Sequence, residues 1–129
     1  MSLLPEKDRD YLVHKAISFE EVAEGANKGL IFIDRPLPSG RYSDSMVDVF
    51  LPLPSGYPDV SPDMFYVLPW VKLTPENQYP KAADQPFSLK GKTWQRWSRH
   101  PEGNDWRRGI DGIWTAMKRI EHAFEVATL

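Results

Sequence analysis

The sequence predicts an α+β fold: an N-terminal helix, a four-stranded antiparallel meander, a long irregular segment, and a C-terminal amphipathic helix packed on the sheet. Three observations support this prediction. Helical apolar periodicity occurs only at the two ends of the chain, and short apolar runs separated by turn residues fill the first half. Ten of the 12 prolines lie between residues 36 and 86, where they disfavour long helices. The length of 129 residues indicates a single domain, 1–129.

The first helix is predicted over residues 5–17. Pro5 suits the first helical position, because its missing N–H would have no partner there anyway. The buried stripe of this helix is expected to comprise Leu12, Val13, Ala16 and Ile17.

Four strands are expected next, over residues 18–24, 30–33, 46–51 and 63–68. The run at 30–33 is continuously apolar, which predicts a strand covered on both faces. Short turns rich in Gly, Pro, Ser and Asp separate the strands. Such connections predict an antiparallel meander.

Residues 70–91 lack a clear period and are predicted to be irregular, as long functional loops often are. Asp111 then suits the N-cap of the last helix. The core-facing stripe of that helix is expected to contain Ile113, Trp114, Met117, Ile120, Glu121 and Phe124. Lys118, Arg119 and His122 fall off this stripe and should face solvent.

Composition excludes several kinds of function. The chain has no Cys, so disulfides, thiolate catalysis and zinc–thiolate sites are ruled out. His14, His100 and His122 lie in separate segments without ligand spacing, and we expect neither a metal nor a cofactor. No apolar run reaches the ~20 residues of a membrane-spanning helix. The first ten residues lack a signal-type apolar run, and we expect a cytoplasmic protein.

Residues 94–106 combine three Trp residues with several Arg residues. Trp94, Trp97 and Trp106 are expected in the core, covering the sheet edge, with Arg96 and Arg99 facing solvent or stacked on Trp. Interleaved cations and aromatic rings are also ingredients of a single-stranded nucleic-acid groove. Nearby acidic residues and a pI near 5.9 make nucleic acid the less favoured partner.

The turn Tyr57-Pro58-x-x-x-Pro62 resembles a hallmark of the ubiquitin-conjugating (UBC) and RWD fold. That fold commonly ends this turn with two Pro residues, and Ser61 replaces the first of them here. An aromatic residue before Pro58 favours a cis peptide bond. Residues 106–114 are similar to the segment that leads into the central helix of the family, with Gly109 near its usual Pro.

Together with the string WQRWSRH at 94–100, these features resemble one bacterial branch, the UBC family protein E. The resemblance covers roughly residues 19–127. Members of this branch are encoded beside a ubiquitin-like protein, an activating enzyme and a JAB peptidase. The resemblance therefore implies a role in ubiquitin-like modification, with the ubiquitin-like protein and the activating enzyme as partners.

The sequence departs from the family at the reactive centre. Conjugating enzymes carry their modifier as a thioester on a Cys, which the resemblance places at residues 98–100, shortly before Trp106. No Cys is present, and the His-Pro-Asn motif of the family has only a faint echo at 74–77. Standard thioester transfer is therefore excluded.

Two functional hypotheses follow. In one, His100 acts as nucleophile or general base, and Ser98 accepts the acyl group as an oxyester. In the other, the chain is an inactive variant or scaffold that binds the modifier or the activating enzyme, and His100 only ends a structural segment. The predicted binding residues are Tyr57, Arg96, Arg99 and Trp106.

Overall fold

Six antiparallel strands and two helices form the domain in a computed structural model that describes residues 4–99 and 105–129. Along the chain the elements are α1 (Glu6–His14), β1 (Phe19–Glu24), β2 (Asn27–Pro36), β3 (Met46–Pro52), β4 (Phe65–Leu68), β5 (Gln85–Leu89), β6 (Lys92–Trp97) and α2 (Ile113–Val126). The strand order across the sheet is β1-β2-β3-β4-β6-β5. The α+β class and the positions of the first four strands are therefore as predicted.

The predicted count of four strands is wrong, because β5 and β6 add a hairpin to the sheet. β5 lies inside the segment predicted to be irregular. β6 contains Trp94 and Trp97, two of the three Trp residues expected to cover the sheet edge, whereas Trp106 lies outside the sheet and is only partly buried. The two turn residues, Lys90 and Gly91, both have positive φ, at 51° and 72°. This is the backbone of a tight hairpin turn, which Asn-Gly usually signals in a sequence. Lys-Gly gave no such signal.

The first helix is shorter than predicted, and its buried face is different. It ends at His14, and Ala16 has a left-handed φ of 56°. Leu12 is fully buried as expected, but Val13 is 67% exposed. The buried face instead includes Asp8, which is only 2% exposed. A buried carboxylate needs hydrogen-bond partners, and those partners come from distant parts of the chain.

The partners of Asp8 are Tyr57 and the start of α2. The Tyr57 hydroxyl donates to Asp8 Oδ2, and the backbone N–H of Ile113 also donates to this carboxylate. An added Cβ at Gly112 would lie 2.8 Å from Asp8 Oδ1, so the close approach requires glycine. Asp8 therefore takes the helix-capping role that was predicted for Asp111. The N-cap residue of α2 is Gly112, and Asp111, one residue before it, bonds the turn that precedes α2.

Helix α2 covers one face of the sheet with the stripe that its periodicity predicted, apart from one residue. Ile113, Met117, Ile120 and Phe124 are buried, whereas Glu121 is exposed and pairs with Arg35 at 3.8 Å. Ala116 and Ala123 complete the buried side of α2.

A second apolar cluster lies on the opposite face of the sheet. It contains Val22, Ile31, Phe50, Tyr66, Leu89 and Trp94. The sheet curls around this cluster, since Lys90 in the β5–β6 turn donates its backbone N–H to Glu24 Oε2 of β1 at 2.9 Å. The Lys90 ammonium group also contacts Glu20 on the same strand. Apolar residues of β2 lie in both clusters, which confirms the prediction of a strand covered on both faces.

Gln95 on β6 fixes the connection between β4 and β5 to the sheet. Its Oε1 accepts hydrogen bonds from the Val71 backbone N–H at 3.0 Å and from Trp97 Nε1 at 3.2 Å. Its Nε2 donates to the carbonyl oxygens of Val71 at 3.0 Å and Ala83 at 2.8 Å. The side chain is fully buried, and all four of its hydrogen-bonding positions are used.

Replacing Gln95 by Leu should therefore destabilise the protein strongly. Leu has a similar size, but it leaves two buried donors and two buried acceptors without their partner, at about 1–3 kcal/mol for each unsatisfied group. We expect a loss of about 3 kcal/mol or more in the free energy of unfolding, measured by urea denaturation. Gln85→Leu, on the exposed part of β5, is the matched control and should change stability by less than about 0.5 kcal/mol. Equal effects of the two variants would contradict this role of Gln95.

Candidate functional site

The segment that follows β6 is held against the chain before β5. The backbone N–H of Ser98 donates to the carbonyl of Ala82 at 3.0 Å. The half-buried Ser98 lines a cavity of about 300 Å³ with Lys81, Arg99, Val126 and Thr128, among others. We call this the Ser98 cavity. His100, the other predicted catalytic residue, lies outside the described residues, so the pairing of Ser98 with His100 stays a prediction.

The two Arg residues predicted to bind a partner lie on different faces of the sheet. Side chains alternate along β6, so Arg96 shares a face with Trp94, whereas Gln95 and Trp97 face α2. Arg96 is exposed opposite Tyr66 and Gln85 on the neighbouring strands. Arg99 stacks on the Trp97 ring at 4.9 Å, as anticipated for a structural Arg–Trp contact, and lies beside α2.

The other two predicted binding residues, Tyr57 and Trp106, lie together, with ring centroids 6.4 Å apart. The Tyr57–Pro58 peptide bond is cis, as predicted. Trp106 Nε1 donates to the carbonyl of Pro58 at 2.8 Å. Burial, and then the hydrogen bond to Asp8, raise the pKa of the Tyr57 hydroxyl. Both side chains thus have structural contacts, and a role in binding stays a prediction.

A larger groove of about 500 Å³ runs along α2, on the side that contains Arg99. We call it the α2 groove. Apolar side chains dominate its floor, and charged side chains from four parts of the chain stand around it. The lining residues are Leu51, Pro62, Asp63, Phe65, Arg99, Asp105, Ala116, Arg119, Ile120, His122, Ala123 and Val126. Its volume falls within the range of ordinary ligand pockets.

Arg119 is a residue of this groove that sequence reasoning missed. Its guanidinium donates to Ser61 Oγ at 2.8 Å and to Asp105 Oδ1 at 2.9 Å, and it lies 5.2 Å from the centre of the Trp106 ring. One signal was present in the sequence. Arg119 lies between Ala116 and Ala123 at helical spacings, so a cation flanked by small residues shares one helix face with them.

Arg99 differs from Arg119 in its partners. Among the described residues no carboxylate forms an ion pair with Arg99, and its Nη1 donates only to the carbonyl of Ser98, at 3.1 Å. Burial lowers the pKa of the Arg99 guanidinium, which reports a cation held partly away from water. Within residues 4–99 and 105–129, Arg99 is therefore a groove cation without an ion-pair partner.

The basic and aromatic residues described at 90–99 and 105–108 do not form one surface. Lys90 pairs with Glu20, Arg107 with Asp111, and Arg108 with Asp59. Trp94 and Trp97 are buried in the two separate apolar clusters. A single-stranded nucleic-acid groove needs exposed rings along a continuous cationic track, and this arrangement does not provide one.

The described residues contain no group of three His, Asp or Glu side chains placed to hold a metal ion. Within the same residues, no helix has the length and apolar character needed to cross a membrane.

The geometry defines a small α+β domain with a groove along its C-terminal helix and no Cys for covalent transfer. Residues 4–127 match the family described as prokaryotic E2 family E, and the chain belongs to that family. No curated protein and no solved structure gives a significant match.

The turn that precedes α2 should make stability depend on acid pH. Asp111 is buried; it accepts the Arg107 backbone N–H at 2.6 Å and bonds the Arg107 guanidinium and the Thr115 hydroxyl. These contacts, the backbone bond first, lower the pKa of Asp111 to about 2, against about 4 in an unfolded chain. A lowered folded-state pKa contributes stability above pH ~4, which is lost as the pH falls towards ~2.

Asp111→Asn should therefore be less stable than the wild type at pH 7, and this difference in stability should become smaller between pH ~4 and pH ~2. Thermal unfolding across this pH range measures the difference. Asp10→Asn, on the exposed side of α1, is the control and should follow the wild-type profile. A gap between Asp111→Asn and the wild type that stays constant with pH would be the contrary result.

Proposed function

We propose that this protein acts in ubiquitin-like modification as a non-enzymatic, UBC-like binding protein. In this proposal it binds a ubiquitin-like protein or the activating enzyme without carrying an acyl group. Its membership of prokaryotic E2 family E supports the pathway. The observation that carries the proposal is the complete absence of Cys, which removes thioester transfer from a chain otherwise built like this family.

A UBC-like arrangement is consistent with the order of the elements. An N-terminal helix precedes antiparallel strands, the cis Tyr57–Pro58 turn joins β3 to β4, and α2 packs across the sheet. The β5–β6 hairpin is an addition to the four strands that the resemblance implied. It places Ser98 and Arg99, in the region where the family resemblance puts the reactive Cys, directly beside α2.

The contacts around that region favour binding over chemistry. The Ser98 backbone is hydrogen-bonded to Ala82, and Arg99 is stacked on Trp97. Both residues line cavities open to a ligand, and the α2 groove has an apolar floor with charged groups at its edge. Apolar floors with a few placed charges are typical of recognition sites.

A second candidate is an oxyester carrier, favoured by the position of Ser98 in its cavity. The Ser98 hydroxyl would take the acyl group of the modifier, with His100 as the base that removes its proton. This candidate needs His100 to reach the Ser98 hydroxyl, since Ser is a poor nucleophile without a base.

The two candidates give different results when the protein is mixed with ATP and with the ubiquitin-like protein and activating enzyme of the same organism. We expect measurable binding to one of these partners by calorimetry, and no covalent adduct by intact-mass spectrometry. Ser98→Ala and His100→Ala should leave this result unchanged, as should the exposed control Ser88→Ala.

An adduct that survives thiol reductant and disappears in Ser98→Ala or His100→Ala, but not in Ser88→Ala, would establish the carrier instead. Absence of binding to both partners would refute the binding proposal.

A further inference from the structure

The α2 groove and the Ser98 cavity are neighbours, and Arg99 is the charged residue they share. Val126, which is 53% exposed at the end of α2, also lines both. The two spaces therefore adjoin at Arg99 and Val126, and a ligand that occupied both would pass beside these residues. Each space is large enough for a side chain, at about 500 Å³ and about 300 Å³.

The ion pairs around the α2 groove leave Arg99 available for an anion. Two carboxylates, Asp63 and Asp105, line the groove together with Arg99 and Arg119. Asp105 is bonded to Arg119, and among the described residues no carboxylate forms an ion pair with Arg99. A partly buried cation without a counter-charge is unfavourable, because it has lost water without gaining a partner. Lys81 adds a second cation in the lining of the Ser98 cavity.

The guanidinium is also oriented for a ligand. Its Cζ lies 4.9 Å from the centre of the Trp97 ring, and among the described residues Nη1 donates to the Ser98 carbonyl, which uses one of the five N–H donors of the guanidinium. The remaining donors can form the two parallel hydrogen bonds that a carboxylate accepts from Arg. The apolar floor beside it, which includes Phe65, Ile120 and Ala123, suits an aliphatic side chain next to that carboxylate.

We propose that Arg99 binds the side-chain carboxylate of an Asp or Glu within an extended peptide segment of a protein partner, with a neighbouring aliphatic side chain in the α2 groove. Because Arg99 lines both spaces, an acidic residue inside a segment that continues into each of them fits better than a chain end, which would fill only one. This inference rests on the proposed binding function for its biological meaning. Peptide binding can be measured without any modification partner, so either proposal can fail alone.

The test titrates the full chain with each of three pentapeptides. Binding is observed by NMR, through the Arg Nε–H signals of the protein. The first is acetylated and amidated with the order Ala, Leu, Glu, Leu, Ala. The second replaces the central Glu by Gln. The third is the Gln peptide with a free C-terminal carboxylate. We expect saturable shifts of the Arg99 Nε–H signal with the Glu peptide, and binding at least about tenfold weaker with the Gln peptide.

Arg99→Gln should reduce affinity for the Glu peptide at least about tenfold, and Arg99→Lys should retain part of it, because the charge remains without the planar fork. Arg96→Gln, on the opposite face of β6, is the matched control and should bind like the wild type. If a variant fails to fold, the shifts of the Arg99 Nε–H signal in the wild-type protein still test the proposal.

Equal affinity for the Glu and Gln peptides would overturn the proposal, as would absence of binding at millimolar peptide. If the Gln peptide with the free C-terminal carboxylate bound more tightly than the Glu peptide, the proposed internal acidic residue would be wrong, and the ligand of Arg99 would be a chain end. Loss of affinity in Arg96→Gln equal to that in Arg99→Gln would place the site elsewhere.

Discussion

The buried carboxamide of Gln95 is the constraint on which the candidate site depends. The chain between β4 and β5 belongs to no strand or helix, so its backbone polar groups need partners from elsewhere when they are buried. Gln95 supplies them for Val71 and Ala83, and three residues later the Ser98 N–H bonds the adjacent carbonyl of Ala82. β6 and the residue that follows it thus fix the irregular segment at Val71 and at the adjacent Ala82 and Ala83. This fixation sets one wall of the Ser98 cavity.

Successive side chains of β6 point to opposite faces of the sheet and therefore pack in different apolar clusters. Trp94 fills the cluster inside the curled sheet, whereas Trp97 packs beneath α2 against Phe65 and Phe124. Each ring belongs to a different apolar layer, so the concentration of Trp in this stretch reflects the two layers rather than a binding platform. Arg99 follows the end of the strand. Its guanidinium contacts the Trp97 ring and lies at the edge of the α2 groove.

Local patterns predicted the parts of the fold that depend on local periodicity. The α2 stripe and the first four strands follow from spacings of apolar residues within a few positions. The β5–β6 hairpin was missed because its turn is Lys-Gly and because Pro86 made β5 resemble a loop. The burial of Asp8 could not be predicted, since its partners Tyr57 and Ile113 lie far away in sequence.

The site depends on distant contacts in the same way. Ser98 was reached only through the family resemblance, whereas the alternation of Arg and Trp had already drawn attention to Arg99 without indicating its place beside α2. Arg119 was assigned to solvent, since its helical position lies off the apolar stripe and its contacts with Ser61 and Asp105 exist only in the folded chain. Tertiary contacts decide which charged side chains surround a groove, and a single sequence carries little information about them.

The contacts of Arg119 fix the walls of the α2 groove, and the proposed binding role needs such walls but no nucleophile. Ser61 stands where the resembled turn commonly has Pro, and its hydroxyl accepts the hydrogen bond that a Pro side chain could not. The same guanidinium bonds Asp105 and stacks on Trp106, so the turn after β3 and the chain that leads into α2 are both fixed to one helix. A groove with walls fixed in advance costs less ordering when a ligand binds. The proposed binding role requires such walls and a cation such as Arg99, which has no ion-pair partner among the described residues, and neither feature depends on a Cys.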